Sequence, residues 1–152
     1  KSIACDPQGN GYALGSIEGR CACQYSDEAE QSKIGFTFKC HRQSESKAGR
    51  TENHIYALNS IAAHPVHGTF ATAGSDGCFH FWDKDAKHRL KGFPALGGSI
   101  TSVAFNRTGA IFAIAVSYDW SKGHQFNTPQ YPNLISLHPT KDEEVLQTSK
   151  RS

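Results

Sequence analysis

Apolar and polar residues alternate in short bursts along this chain, and each burst is closed off by Gly, Pro, Asn or Asp. A period of two puts every second side chain on one face of an extended backbone, so the bursts predict half-buried β-strands. Paired bursts fall at residues 2–6 and 12–16, 58–64 and 69–74, and 101–106 and 110–117. The turns between them, Pro7-Gln8-Gly9-Asn10-Gly11, Pro65-Val66-His67-Gly68 and Arg107-Thr108-Gly109, hold residues that fix φ or accept a positive one. Third strands are predicted at 20–25, 78–82 and 134–138, the first two entered through the tight reversals Glu18-Gly19 and Asp76-Gly77. Outer strands follow at 36–40 and 89–93.

The paired bursts are copies of one another. Residues 2–19 superimpose on 60–77 at an offset of 58, and residues 60–75 on 102–117 at an offset of 42, both without a gap. Each copy carries a Ser (Ser2, Ser60, Ser102), an Ala two places on (Ala4, Ala62, Ala104) and another nine residues later (Ala13, Ala71, Ala113). A period of roughly 40 to 45 residues is that of a four-stranded propeller blade with a Trp-Asp dipeptide, and Trp82-Asp83 supplies the dipeptide. The fold class is therefore all-β, a WD-repeat β-propeller segment of about three four-stranded blades. Residues 1–40 form the first blade, 41–56 a polar insertion between blades, and 57–94 the second blade. Residues 95–138 form a third blade that lacks its outer strand and contains a long loop at 119–133, and 139–152 are a polar tail expected to fray. The insertion at 41–56 is expected to be a solvated loop. A closed propeller takes roughly four to eight blades, so further blades are expected upstream of Lys1.

Composition narrows the picture. At 38% hydrophobic and 20% charged residues the chain is that of an ordinary globular domain, and no apolar run approaches the length of a membrane helix. No membrane insertion is expected. The five cysteines are an odd number, and Cys21, Cys23 and Cys78 lie in strand-like segments where a reduced Cys is a small buried residue. A reducing compartment, cytosol or nucleus, fits that usage. The net charge of +2 is too small to indicate nucleic-acid binding by itself, so local charge has to be examined.

Four residues, His41, Thr72, Asp76 and Trp82, have the order and spacing of a hydrogen-bonded tetrad that ties strands together inside one blade. A hydroxyl, a His and an Asp also suit a hydrolase using His41 and Asp76, but Asp76 falls in a turn and Trp82 can only donate, so satisfying buried polar groups is the stronger reading. Cys40 and His41 are strand neighbours that point to opposite faces, and Cys21-x-Cys23 lacks a second ligand pair for zinc. No metal, cofactor or small-molecule substrate is expected. The clearest positive patch is Lys84 to Lys91, where Lys84, Lys87, Arg89 and Lys91 stand against a single Asp85, with Arg42 on the neighbouring insertion able to add to it. It reads either as a solvated edge strand or as a docking site for an acidic peptide or a phosphate backbone. In the long loop, Trp120, Phe126 and Tyr131 either pin the loop to its blade or meet a partner.

Particular strings carry a resemblance. GYALGSIEGR, FTFKCHR, IYALNSIAAHPVHGTFATAGSDG, FWDKDAKHRL, FNRTGAIFA and SYDWSKGHQF together resemble the C-terminal three blades of the mRNA export factor family, seven-bladed WD-repeat proteins that dock at the nuclear pore. The match runs from Tyr12 to about Phe126. The family resemblance implies a non-enzymatic adaptor in nuclear export of mRNA that binds a short peptide motif of an FG-repeat nucleoporin. It further implies contact with RNA or mRNA–protein particles, a part in mitotic spindle function, and residence in the nucleus, at the nuclear envelope and in the cytoplasm. A related mitotic-checkpoint propeller that binds kinetochore protein motifs shares the SIEGR and FKCHR type strings. Trp82-Asp83-Lys84-Asp85-Ala86 and Ser117-Tyr118-Asp119-Trp120-Ser121-Lys122-Gly123-His124 favour the export factor. The partner-binding residues expected are Arg42, Trp82, Lys84, Lys87 and Arg89 on the basic patch, and Trp120, Lys122 and His124 on the long loop.

Overall fold

The computed structural model describes residues 1–150. Strands β1 (Ser2–Cys5), β2 (Gly11–Gly15), β3 (Arg20–Tyr25) and β4 (Phe36–Lys39) form one antiparallel sheet in chain order, the first blade. A short helix, α1 (Glu28–Ile34), links β3 to β4; Asp27 caps it by accepting a hydrogen bond from the Glu30 N–H at 3.0 Å. Next, β5 (Arg42–Lys47) and β6 (Arg50–Ile55) pair only with each other. The second blade comprises β7 (Leu58–Ala63), β8 (Phe70–Gly74), β9 (Phe79–Asp83) and β10 (His88–Gly92), and the third has three strands, β11 (Ile100–Phe105), β12 (Ile111–Val116) and β13 (Leu134–Pro139). A single helical turn, α2 (Asp142–Val145), follows.

The core lies between blades. Ala13, Cys21, Cys23 and Cys40 from the first blade meet Leu58, Ile61 and Phe70 from the second. On the other side of the second blade, Ala71, Phe79 and Phe81 pack on Ile100, Phe112 and Ile114 of the third. The small residues repeated in sequence let innermost strands approach closely, and the repeated Ser fixes their register. The Ser2 hydroxyl accepts the Ile61 N–H at 3.1 Å, and one blade later the Ser60 hydroxyl accepts the Val103 N–H, also at 3.1 Å. Gly77, at φ 75, turns β8 into β9 where a Cβ would stand 2.6 Å from the Gly98 carbonyl oxygen, so the next blade's entry loop demands glycine.

Two expectations need correction. The insertion at 41–56, expected as a solvated loop, is a hairpin closed by Ala48 and Gly49, at φ 49 and 79. Both faces of that hairpin are polar, so it has no alternation to read, and the paired positive φ values supply the twist. The tail, expected to fray, docks under the second blade: Val145 is buried, its carbonyl accepts the Thr69 hydroxyl at 2.6 Å, and the Thr148 N–H donates to Asp83 Oδ2 at 2.8 Å. Residues 151–152 of that tail lie outside the described residues. Among the described residues, no helix is long and apolar enough to cross a membrane.

Candidate functional site

The polar tetrad is assembled inside the second blade by a residue from outside it. His41 follows β4 and has a left-handed φ of 49, a conformation that a non-glycine residue keeps only where its surroundings hold it. Here both ring nitrogens are engaged: Nδ1 lies 2.9 Å from Asp76 Oδ1 and Nε2 lies 2.9 Å from Thr72 Oγ1, which also accepts the Trp82 indole N–H at 2.9 Å. Asp76 accepts the Cys78 N–H as well, at 3.1 Å. Thr72 is completely buried, so its hydroxyl is closed to any substrate. His41, Asp76 and His80 lie close enough to share an ion, but a cation at His41 would have to break the tetrad, with Arg42 and Arg89 beside it.

Around this tetrad the basic run divides between two clefts. The first, about 110 Å³, has aromatic walls, Phe36, Phe38 and Trp82, with Lys84, Lys87 and His88 at its rim. The Phe38 and Trp82 rings lie 4.5 Å apart, and the Lys87 ammonium stands 5.0 Å from the Phe36 ring centroid. Lys84 is held internally: its ammonium lies 3.1 Å from Asp6 Oδ2 and 3.2 Å from Asp85 Oδ1. Burial works against its charge, but those two carboxylates outweigh it and move its pKa upward. The second cleft, about 240 Å³, is lined by Arg42, Gln43, His80 and Arg89 over the tetrad, and shares Lys39 and Trp82 with the first. Arg42 uses Nη2 to hold the Glu18 carbonyl at 2.8 Å. Burial, with help from His41 and Arg89, lowers the His80 pKa to about 4, so its ring is neutral at physiological pH.

Trp120, Lys122 and His124 line neither cleft. Their loop is fastened by tyrosines: the Tyr131 hydroxyl accepts the Ser99 N–H at 2.7 Å, and Tyr118 donates to the Gly123 carbonyl at 2.8 Å. Asp119 anchors the loop's start, accepting from the Ser75 hydroxyl and, at 2.9 Å, from Asn59. Burial raises the Asp119 pKa, but its hydrogen bonds from Ser75, Asn59 and Ser121 prevail and bring it to about 2. Trp120 and Phe126 remain exposed, with the Lys122 ammonium 5.6 Å from the Phe126 ring centroid. His124 opens an exposed 3₁₀ turn. Sequence reasoning missed Phe36, Phe38 and His80; the Phe-x-Phe spacing, which puts both rings on one strand face, was the available signal.

No family model matches the chain. Among solved structures, one described as the crystal structure of RRP9 WD40 repeats superimposes with a TM-score of 0.71 over 91% of this chain and 41% of its own, at 17% identity, which establishes the fold. Among curated proteins, the mRNA export factor GLE2 of Chaetomium thermophilum is 56% identical over 142 residues, 93% of this chain and 39% of the relative. The chain is a homologue of mRNA export factors. The Poly(A)+ RNA export protein of Schizosaccharomyces pombe is 54% identical over 99% of this WD-repeat chain and 42% of its own length. For the mRNA export factor of Sus scrofa the identity is 53%, over 88% of this chain and 36% of that protein. This export-factor homologue thus spans about two fifths of the length of such relatives.

Proposed function

We propose that this chain is the blade-bearing part of a non-enzymatic WD-repeat adaptor in nuclear export of mRNA. It works in the nucleus, at the nuclear pore and on the cytoplasmic side, binding a short peptide motif of an FG-repeat nucleoporin and engaging RNA or mRNA–protein particles. The observation that carries the reading is its identity of more than half, over most of its length, to proteins named for RNA export. The geometry supplies a physical basis, because clefts walled by strands of two blades present side chains that are already ordered, so a partner meets a surface with little entropy left to lose. Trp82, Lys87, Arg89 and Arg42 are assigned to an acidic peptide or RNA backbone, with Lys84 held beside them by Asp6 and Asp85, and Trp120, Lys122 and His124 to a contact through the long loop.

The test combines depletion and binding. Cells depleted of the protein should accumulate polyadenylated RNA in the nucleus, and export should return with the unaltered gene. Reversing charge at Lys87 and Arg89 should weaken capture of an FG-repeat nucleoporin fragment or of RNA, more so at low salt. Lys84 is left unaltered because its reversal would report the ion pair with Asp6. Unchanged capture of both ligands would remove the basic patch from the site.

A further inference from the structure

Beyond the aromatic cleft, we propose that the cleft over the tetrad is a separate anion site that receives one acidic side chain of a protein partner. The inference rests on the adaptor reading above and specifies the chemistry of one of its contacts. Lys39, Arg42 and Arg89 come from the first blade's outer strand, the hairpin β5–β6 and the second blade's outer strand, and they converge on one cavity of about 240 Å³. Among the described residues Asp76 is the only carboxylate lining it, and that group is engaged by His41 and by the Cys78 N–H. The Arg42 Nε–H is buried with no partner among the described residues, although the same guanidinium satisfies Glu18 through Nη2. A buried guanidinium N–H without an acceptor costs free energy in the empty site, and an entering oxyanion removes that cost.

The ligand class follows from the walls. His80 is neutral and Asp76 is already engaged, so the charge the site offers a ligand comes from Lys39, Arg42 and Arg89. A planar carboxylate with two oxygens matches the fork that Arg42 presents. Lys39 and Trp82 border both clefts, so a chain lying in the aromatic one brings its neighbouring residue here.

The experiment follows the arginine side chain in ¹H–¹⁵N spectra while the protein is titrated with an octaglutamate peptide and, separately, with an octauridylate RNA. Octaglutamate should shift the Arg42 Nε–Hε and His80 ring resonances, and Arg42→Gln should weaken its binding about tenfold. Arg42→Lys should recover little of it, because an ammonium has no planar fork. Gln43→Glu, which leaves every tetrad bond in place, should also weaken the peptide, and this keeps the test decisive if Arg42→Gln unfolds. Resonances that stay in place with octaglutamate, or that move with octauridylate at lower concentration, overturn the proposal; the latter result assigns the cleft to a phosphate backbone. RNA export is read independently: export lost on depletion without an Arg42 shift is failure of this inference alone, and export kept on depletion with an Arg42 shift is failure of the adaptor reading alone.

Discussion

At the scale of single residues, the tetrad is where chemistry suggestive of catalysis serves stability. His41 is fully buried as a side chain and joins a turn carboxylate to a strand hydroxyl, so His41→Ala takes one hydrogen-bond partner from each and leaves Asp76 the Cys78 N–H and Thr72 the Trp82 indole. That substitution should cost about 1–3 kcal/mol and lower the melting temperature, measured by calorimetry, whereas Thr72→Ser should cost much less. Asp119 gives a second readout. Its folded-state pKa of about 2 lies below its ordinary 3.8, so the stability it contributes is complete above about pH 4 and is lost as pH falls through the folded value. Asp119→Asn should therefore lower the melting temperature at pH 7, with the gap to the parent closing toward pH 2.

Elements tell a different story in the interior and at the ends. The interior strands were legible because burial on one or both faces imposes period two or continuous apolarity, as in β8, where Phe70, Ala71, Thr72, Ala73 and Gly74 are all buried. The hairpin β5–β6 and helix α1 were not legible, since neither buries an apolar face: α1 has no buried residue and depends on its Asp27 cap. The tail was misread for a related reason. Its single turn places Glu144 beside Lys91 at 3.0 Å and His138 at 2.9 Å, partners 53 and 6 residues away that no local pattern announces. Val145→Ala should destabilise by about 2 kcal/mol because that side chain is fully packed, and Ser60→Ala by about 1 kcal/mol through the lost inter-blade hydrogen bond, both by denaturant unfolding. If the tail were frayed, the first change would have no effect.

For the whole molecule, the two flanks are the exposed faces of the end blades. Ile3 and Leu14 stand out on the first blade, and Ile135 and Leu137 on the third, with Ile135 76% exposed. Ser102, the third copy of the inter-blade Ser, is also exposed. Apolar faces of this kind associate in water, so the isolated chain should sediment as oligomers, and Ile135→Lys with Leu137→Lys should shift it toward monomer in sedimentation velocity. An unchanged distribution would mean these faces are not the contacts.

The repeat of 42 residues, the small residues inside it and the Trp-Asp dipeptide determined the blades and their order from sequence alone, because stacking identical sheets requires the same small and apolar residues at the same places each time. Of the candidate site, the tetrad members and the cations were nameable by type and order. Which cation is free and which is spent was decided in three dimensions. Lys84 faces an aspartate 78 residues away and Arg42 reaches a carbonyl 24 residues away, while Phe38 meets Trp82 only because two blades converge. Side-chain pairing across separate sheets depends on distances that a linear pattern does not contain, so the division of one basic run into two clefts belongs to the tertiary structure.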